Sequence, residues 1–307
     1  MNYLLKCTIQ HILSNLPKGE IANRWLQIHG TKHLPVNEEL LLNKISLGKL
    51  HLDYYLKYNT DSKTSFEDIV SFEFGAGYDL IIPIIFSYAG IKSITCVDIK
   101  DKASAYLISN VLGRLKNHKE LKEFTDLNIH SHDTITKSNV KEILKNNFRI
   151  NYIAPMDASK TNFENDSIDL IATNATFEHI PLNSIKEILK ESYRTLRPGG
   201  VFSNIIDYKD HWAYTDSTLS YYNYLKYSPF KWKFLNPSLN YQNRLRHKDY
   251  IELFESAGFK LKYILPRYPT EGEKNALSDI KIDDYFKSKY TIEELEILSA
   301  IFVATKS

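Results

Sequence analysis

The run Val70-Ser71-Phe72-Glu73-Phe74 closes on Gly75-Ala76-Gly77, and a second apolar run, Ile94 to Val97, closes on Asp98, 21 positions after Gly77. No other feature narrows the fold as much. Val70 to Phe74 reads as a short strand and Leu80 to Tyr88 as the helix after it, with Pro83 in the first turn, where a missing N–H costs little. Ile94 to Val97 is the next strand. Gly75 and Gly77 permit positive φ and leave no Cβ between backbone and ligand. Asp98, at a strand end, is placed to accept hydrogen bonds from a ribose diol.

Two nucleotide classes compete for such a corner. A nicotinamide or flavin site wants Gly-x-Gly-x-x-Gly/Ala, so that a pyrophosphate can rest on the helix start. Here the third position is Leu80, which crowds that approach, and Glu73 would set a negative charge beside a diphosphate. An amino-acid ammonium would be favoured by the same carboxylate. These residues point to a cationic cofactor that carries a ribose.

With those residues the chain resembles the class I S-adenosylmethionine-dependent methyltransferases. Their Glu/Asp-x-Gly-x-Gly motif is similar to Glu73 to Gly77, with Asp79 in place of the common third glycine, and their ribose carboxylate to Asp98. Their adenine-binding acid resembles Asp157 in Ala154-Pro155-Met156-Asp157-Ala158. Their fourth strand and its exit resemble Ile168 to Ile180, and the turn before their fifth strand resembles Leu196-Arg197-Pro198-Gly199-Gly200. The resemblance spans residues 70 to 207 and leaves the first 65 residues and about 208 to 246 unexplained.

The resemblance implies an α/β, Rossmann-like, seven-stranded and mostly parallel sheet with helices on both faces and an antiparallel last strand. It implies S-adenosylmethionine as cofactor, held by Glu73, Gly75, Ala76, Gly77, Asp98, Ile99, Asp157, Ala158 and Asn174. The pattern of the chain agrees, since strands and helical segments alternate from Val70 onward. Helices are predicted at Ala103 to Leu115, Val140 to Leu144, Leu182 to Leu196 and Asp249 to Ala257, and strands at Val201 to Ile206, Lys260 to Leu265 and Ile297 to Thr305.

The division expected is an N-terminal helical segment, 1–65, and a methyltransferase domain, 66–307, with insertions near 116–148 and 208–246. Pro17 and Gly19 break the first helix, and Asn37 can cap one through Leu40, Leu41 and Ile45. Such a segment either covers the cofactor site or buries a sheet edge. Leu4, Leu5, Ile9, Ile12, Leu13 and Leu16 share one helical face, read as packing on the chain's own domain because Lys6 and Lys18 give too little charge for a membrane anchor.

A formal charge of +2 implies no strong attraction to nucleic acid, whose binders usually carry a concentrated basic face, and no nucleic-acid partner is expected. Two cysteines, Cys7 and Cys96, make a disulfide framework improbable, and no apolar run approaches membrane-spanning length. No signal-peptide pattern opens the chain, so a cytoplasmic protein without stable membrane insertion is expected; oligomeric state is not inferable.

Acceptor chemistry is expected after the fourth and fifth strands. His179, beside Glu178, and His211, in Asp207-Tyr208-Lys209-Asp210-His211-Trp212, are the candidate bases. His211 is preferred, with Asp207 or Asp210 to orient it; the bland alternative for either histidine is a loop or helix-end hydrogen bond. Some methyltransferases of this class carry a Glu-x-x-Glu-His helix and a distant histidine that bind a divalent ion; here the first acid would fall at Ala175, which leaves Glu178, His179 and His211 as a partial site, and a metal is not expected.

Residues 208 to 246 interleave aromatics with lysines and end in Arg244 and Arg246. Tyr208, Trp212 and Tyr214 suit a sugar ring or planar group, and the two arginines suit phosphate or carboxylate. The plainer reading is an aromatic subcore over the sheet end. Asn174-Ala175-Thr176-Phe177 lacks both prolines of the base-methylating motif and resembles the small-molecule branch. The resulting expectation is methylation of a small polar acceptor, on oxygen, sugar-like or anionic. Methylation of protein or RNA, or cofactor binding without catalysis, stays open as an alternative.

Overall fold

Each short apolar run between glycine or polar breaks forms one strand of a single sheet, and the intervening amphipathic segments cover both faces. The computed structural model describes residues 2–30, 34–60, 65–116, 118–122, 124, 134–271 and 277–306. In chain order the elements are α1 (Tyr3–Ser14), α2 (Gly19–Trp25), α3 (Glu38–Tyr58), β1 (Val70–Phe74), α4 (Ile81–Tyr88), β2 (Ser93–Val97), α5 (Ala105–Leu115) and α6 (Val140–Phe148). They continue with β3 (Ile150–Ile153), β4 (Ile168–Asn174), α7 (Leu182–Thr195), β5 (Leu196–Asp207), α8 (Pro229–Leu235), α9 (His247–Ser256), β6 (Lys260–Arg267) and β7 (Ser299–Thr305). Two short helices, Asp284–Lys287 and Ile292–Glu296, precede β7.

The sheet order is β3-β2-β1-β4-β5-β7-β6, with β7 antiparallel to both its neighbours. This is the seven-stranded α/β architecture expected. The order reverses between β1 and β4, so a crevice opens beyond their carboxyl ends. Glu73 lies in register with Cys96 on one side and Ala172 on the other, which sets the glycine corner over that crevice.

Alternation along β1 divides the core. Phe72 and Phe74 pack with Phe202, Phe302, Ile185 of α7 and Tyr250 and Phe254 of α9. On the other face Ile94, Leu170 and Val201 meet Leu41, Ile45, Leu52 and Tyr55 of α3, Ile85 of α4 and Ile108 of α5. Each such fully buried side chain contributes about 1.5–3 kcal/mol. Gly48 brings α3 against α4, since a Cβ there would lie 2.9 Å from Ile85 Cγ2. The N-terminal segment therefore shares the main core through α3, whose start Asn37 caps by accepting from Leu40 N at 2.8 Å.

Three expectations are corrected. The residues predicted as a turn before the fifth strand fall inside β5 as a bulge: Leu196 pairs with Ile168, the ladder resumes at Val201, and between them Gly199 has a φ of 78°. The apolar face of α1 does not pack on the domain: Leu4, Leu5, Ile12 and Leu16 are exposed, and α1 docks by its other side. There Tyr3 N donates to Asp216 Oδ2 at 3.1 Å and the Tyr3 and Tyr227 hydroxyls lie 2.8 Å apart. Of the insertion near 116–148, residues 125–133 lie outside the described residues, and its helical piece extends to Phe148. Among the described residues no helix is long and apolar enough to cross a membrane.

Candidate active site

The glycine corner is built as its sequence demands. Gly75 has φ +74°, and a Cβ there would lie 2.4 Å from Thr176 Cγ2, so no side chain fits. Gly77 has φ +75° with nothing within 4 Å of a built Cβ, which leaves open space against the backbone. Leu80 does not crowd the corner: its side chain is fully buried in the core, and its own left-handed φ of 52° turns the chain into α4.

Glu73, in β1, and Asp98, just after β2, each carry a carboxylate oxygen with no partner. Glu73 is buried with Oε2 unpartnered, and burial, only partly offset by Lys44, pushes its carboxyl up to about 8. Asp98 Oδ1 accepts from Lys100 N at 3.2 Å and lies 3.4 Å from Lys102 Nζ, while its buried Oδ2 has no partner. Burial raises the Asp98 carboxyl as well. Asp157 is exposed in the loop after β3, its Oδ1 accepting from Ser159 N at 2.8 Å. Met156 N donates to Asp98 O at 2.9 Å and so ties that loop to the end of β2. Ile99 offers an exposed apolar side chain beside Asp98, and Ala158 is buried behind. Both polar atoms of the Asn174 side chain are without a partner.

Two further groups come from α3. Lys44 Nζ pairs with Asp79 at 2.9 Å and holds α3 to the corner. His51 is wholly buried, its Nδ1 2.6 Å from Ser203 Oγ, and burial lowers it to about 4, with nearby Asn174 offsetting little of that. Neither residue was foreseen. The available signal was their position on the buried stripe Leu41, Ile45, Gly48, Leu52, Tyr55, where a polar residue needs a partner. From α2, Glu20 pairs with Lys100 at 2.9 Å and the Arg24 guanidinium lies over the Tyr78 ring. The N-terminal segment thus both joins the core through α3 and touches the residues after β1 and β2 through α2.

The turn after β4 and the loop after β5 bring His179 and His211 together, ring centroids 4.7 Å apart. His211 Nε2 lies 3.6 Å from Asp207 Oδ2, which also accepts the Tyr214 hydroxyl. Burial alone would raise the Asp207 carboxyl, but His211, Lys209 and Tyr214 outweigh it and hold it below the usual range. Glu178 is buried with both oxygens unpartnered, and burial, then Asp207, pushes its carboxyl well up. His179 stands at the rim, its Nδ1 2.7 Å from Tyr241 O; loss of water around its ring nitrogens, then His211, lowers its affinity for a proton.

Other expected residues prove structural. Asp210 is not beside the His211 ring; it is fully buried, accepting from Trp212 N and Asn223 Nδ2. Arg246 is fully buried, donating to the carbonyls of Tyr208, Leu295 and Ile297 and to the Tyr224 hydroxyl. Arg244 donates to Tyr224 O and Tyr227 O and lies over the Trp232 and Phe286 rings. Trp212 is buried with its indole N–H on Leu235 O, and buried Tyr208 faces His247. Trp212 joins Tyr222, Tyr224, Trp232 and Phe286 in a separate aromatic subcore, whereas Tyr208 packs in the main core with Tyr250. Arginine forks spent on backbone carbonyls are unavailable to an acceptor. Tyr214 alone of that expected set is exposed beside the histidines. An open groove between α7 and α9, of about 570 Å³, lies on the outer helix face and includes none of these residues.

Residues 116–203 match the family described as a methyltransferase domain. No curated protein matches the chain. Among solved structures, similar ones include an S-adenosylmethionine-dependent methyltransferase from Methanosarcina mazei, at 15% identity and TM-score 0.44, covering 78% of this chain and 93% of that one. Another is geranyl diphosphate C-methyltransferase from Streptomyces coelicolor, complexed with Mg²⁺, geranyl diphosphate and S-adenosyl-L-homocysteine, at 11% identity and TM-score 0.47, covering 90% and 86%. A third is a Haemonchus contortus phosphoethanolamine N-methyltransferase with phosphomonomethylethanolamine and S-adenosylhomocysteine, at 16% identity and TM-score 0.45, covering 84% of this chain and 52% of that one. At these values such likeness assigns no acceptor.

Strand order and glycine corner agree with the class I S-adenosylmethionine-dependent methyltransferase fold expected from the sequence, and residues 116–203 match a methyltransferase-domain family. S-adenosylmethionine is the cofactor that this resemblance implies. The site fits that group on its own terms, with unpartnered oxygens on Glu73 and Asp98 and a backbone cradle at Gly77.

Proposed function

We propose that this enzyme methylates a hydroxyl oxygen of a small polar acceptor lodged between the exits of β4 and β5. The observation that carries the reading is the convergence of Glu178, His179, His211 and Asp207 beyond the glycine corner. When bound, S-adenosylmethionine supplies a methyl group on a positively charged sulfur. Glu73 would hold the ammonium end, Asp98 the ribose, Asp157 with Ile99 the adenine, while Gly75, Ala76 and Gly77 shape the corner and Asn174 forms the crevice floor. A hydroxyl is a poor nucleophile until it loses its proton, and the His211–Asp207 pair is placed to take it. Tyr214, tied to Asp207, presents an exposed ring to an acceptor such as a sugar.

The arginines that suggested an anionic acceptor are buried, so that part of the expectation loses its support. The test is transfer of label from the cofactor into metabolite extracts and into a lysate fractionated by size. Label in small hydroxylated molecules supports the reading; label confined to protein or RNA overturns it. His211→Ala should reduce kcat by about 10²- to 10⁴-fold with cofactor Kd unchanged; a fully active variant removes His211 from the chemistry.

A further inference from the structure

We propose that Glu178, His179 and His211 form a divalent-cation site open to the acceptor, a deepening that rests on the methyltransferase reading above. Their ligand atoms all lie within 4.8 Å of one another. Ligands bonded to one ion at about 2.1 Å stand about 3 to 4.2 Å apart, so small side-chain turns close the set. Glu178 is 2% exposed, yet neither of its oxygens has a hydrogen-bond partner. A carboxylate held from water without a donor is costly, and a cation removes that cost.

The histidines are prepared in the same sense. His179 Nδ1 lies 2.7 Å from Tyr241 O, so it carries the proton and donates to that carbonyl, leaving the Nε2 lone pair free. His211 Nε2 is buried without a hydrogen bond. Sequence pattern had argued against a metal because Ala175 fills the expected ligand position. The fold brings together the three residues that remain without it, two from the turn after β4 and one from the loop after β5.

One carboxylate and two imidazoles suit Mn²⁺, Fe²⁺, Co²⁺ or Zn²⁺ better than Mg²⁺ or Ca²⁺. Three protein ligands leave positions open for substrate oxygens, which selects acceptors with two neighbouring oxygens, a diol or a hydroxy acid. In the His211–Asp207 pair, His211 then holds the ion and Asp207, 3.6 Å away, receives the hydroxyl proton.

The test is calorimetric titration of chelator-stripped protein with Mn²⁺, and visible absorption with Co²⁺, each with and without S-adenosylhomocysteine. One ion per chain, bound about tenfold or more weakly in His179→Ala, His211→Ala and Glu178→Gln, is expected, with S-adenosylhomocysteine binding unchanged. The Co²⁺ spectrum of the wild type answers the question should a variant fail to fold. Protein that binds S-adenosylhomocysteine but takes up neither Mn²⁺, Co²⁺ nor Zn²⁺, or takes them up equally in all three variants, overturns the site and leaves the proposed function standing. Ion uptake without S-adenosylhomocysteine binding supports the site and overturns the methyltransferase reading beneath it.

Discussion

Glu73→Gln separates what the buried carboxylate costs the fold from what it gives the ligand. The side chain is 3% exposed, one oxygen has no partner, and its pKa stands at about 8 against an ordinary 4.5. Between those values the unfolded chain has released the proton while the folded chain keeps it, so stability falls as pH rises through this window and levels off above about 8. At pH 7 the accumulated cost is about 3 kcal/mol, from roughly 2.5 pH units at about 1.36 kcal/mol each. Glutamine does not titrate, so the variant without ligand should be more stable than wild type by about 1 to 3 kcal/mol at pH 7, the gap vanishing towards pH 4. Ligand binding should move oppositely. Glutamine loses the charge that meets the ammonium, and wild-type affinity for S-adenosylhomocysteine should climb up to about tenfold per pH unit until about pH 8. Thermal unfolding and calorimetry from pH 4.5 to 9 read both effects. A stability gap independent of pH would refute the buried titration, and unchanged affinity in Glu73→Gln would refute its role at the ammonium.

Three further outcomes follow from the same geometry. Asp98→Ala should weaken S-adenosylhomocysteine binding by about 1 to 3 kcal/mol, the loss for a charge-assisted hydrogen-bonded pair, and calorimetry showing no change would reject the ribose assignment. Gly75→Ala meets both the Thr176 methyl and a left-handed backbone, so it should lower thermal stability by about 1 to 3 kcal/mol and impair cofactor binding together; an unaltered melting curve would show that the corner relaxes freely. Arg246→Ala strips donors from three buried carbonyls and should unfold the aromatic subcore, seen as a loss of thermal stability. A stable variant with only a raised acceptor KM would return Arg246 to the acceptor pocket.

How legible the molecule was in its sequence depends on the range of the interactions involved. β1 and the glycine corner were readable because strand, positive φ and close approach are local demands, and β1 runs over the very residues predicted. Asp98 was readable for the same reason, as the polar end of an apolar run. The boundary of β5 was not, because Leu196 joins the sheet only through its pairing with Ile168, 28 positions earlier. Lys44 and His51 escaped notice because their partners, Asp79 and Ser203, lie 35 and 152 positions away. Composition misled most between 208 and 246. Tyr, Trp and Arg are the residues of both a ligand pocket and a polar-stitched subcore, and only the carbonyls that Arg244 and Arg246 meet decide between the two. The apolar face of α1 shows the converse error, since periodicity marks a face without saying whether anything covers it.

The central claim is that Glu73, Asp98 and Asp157 converge on one cofactor around the glycine corner. A crystal structure of the S-adenosylhomocysteine complex tests it most directly. The account predicts the ribose hydroxyls on Asp98 Oδ2, the amino group facing Glu73 and the adenine between Ile99 and the Asp157 loop; ligand density anywhere else, or a corner closed by protein, would contradict it.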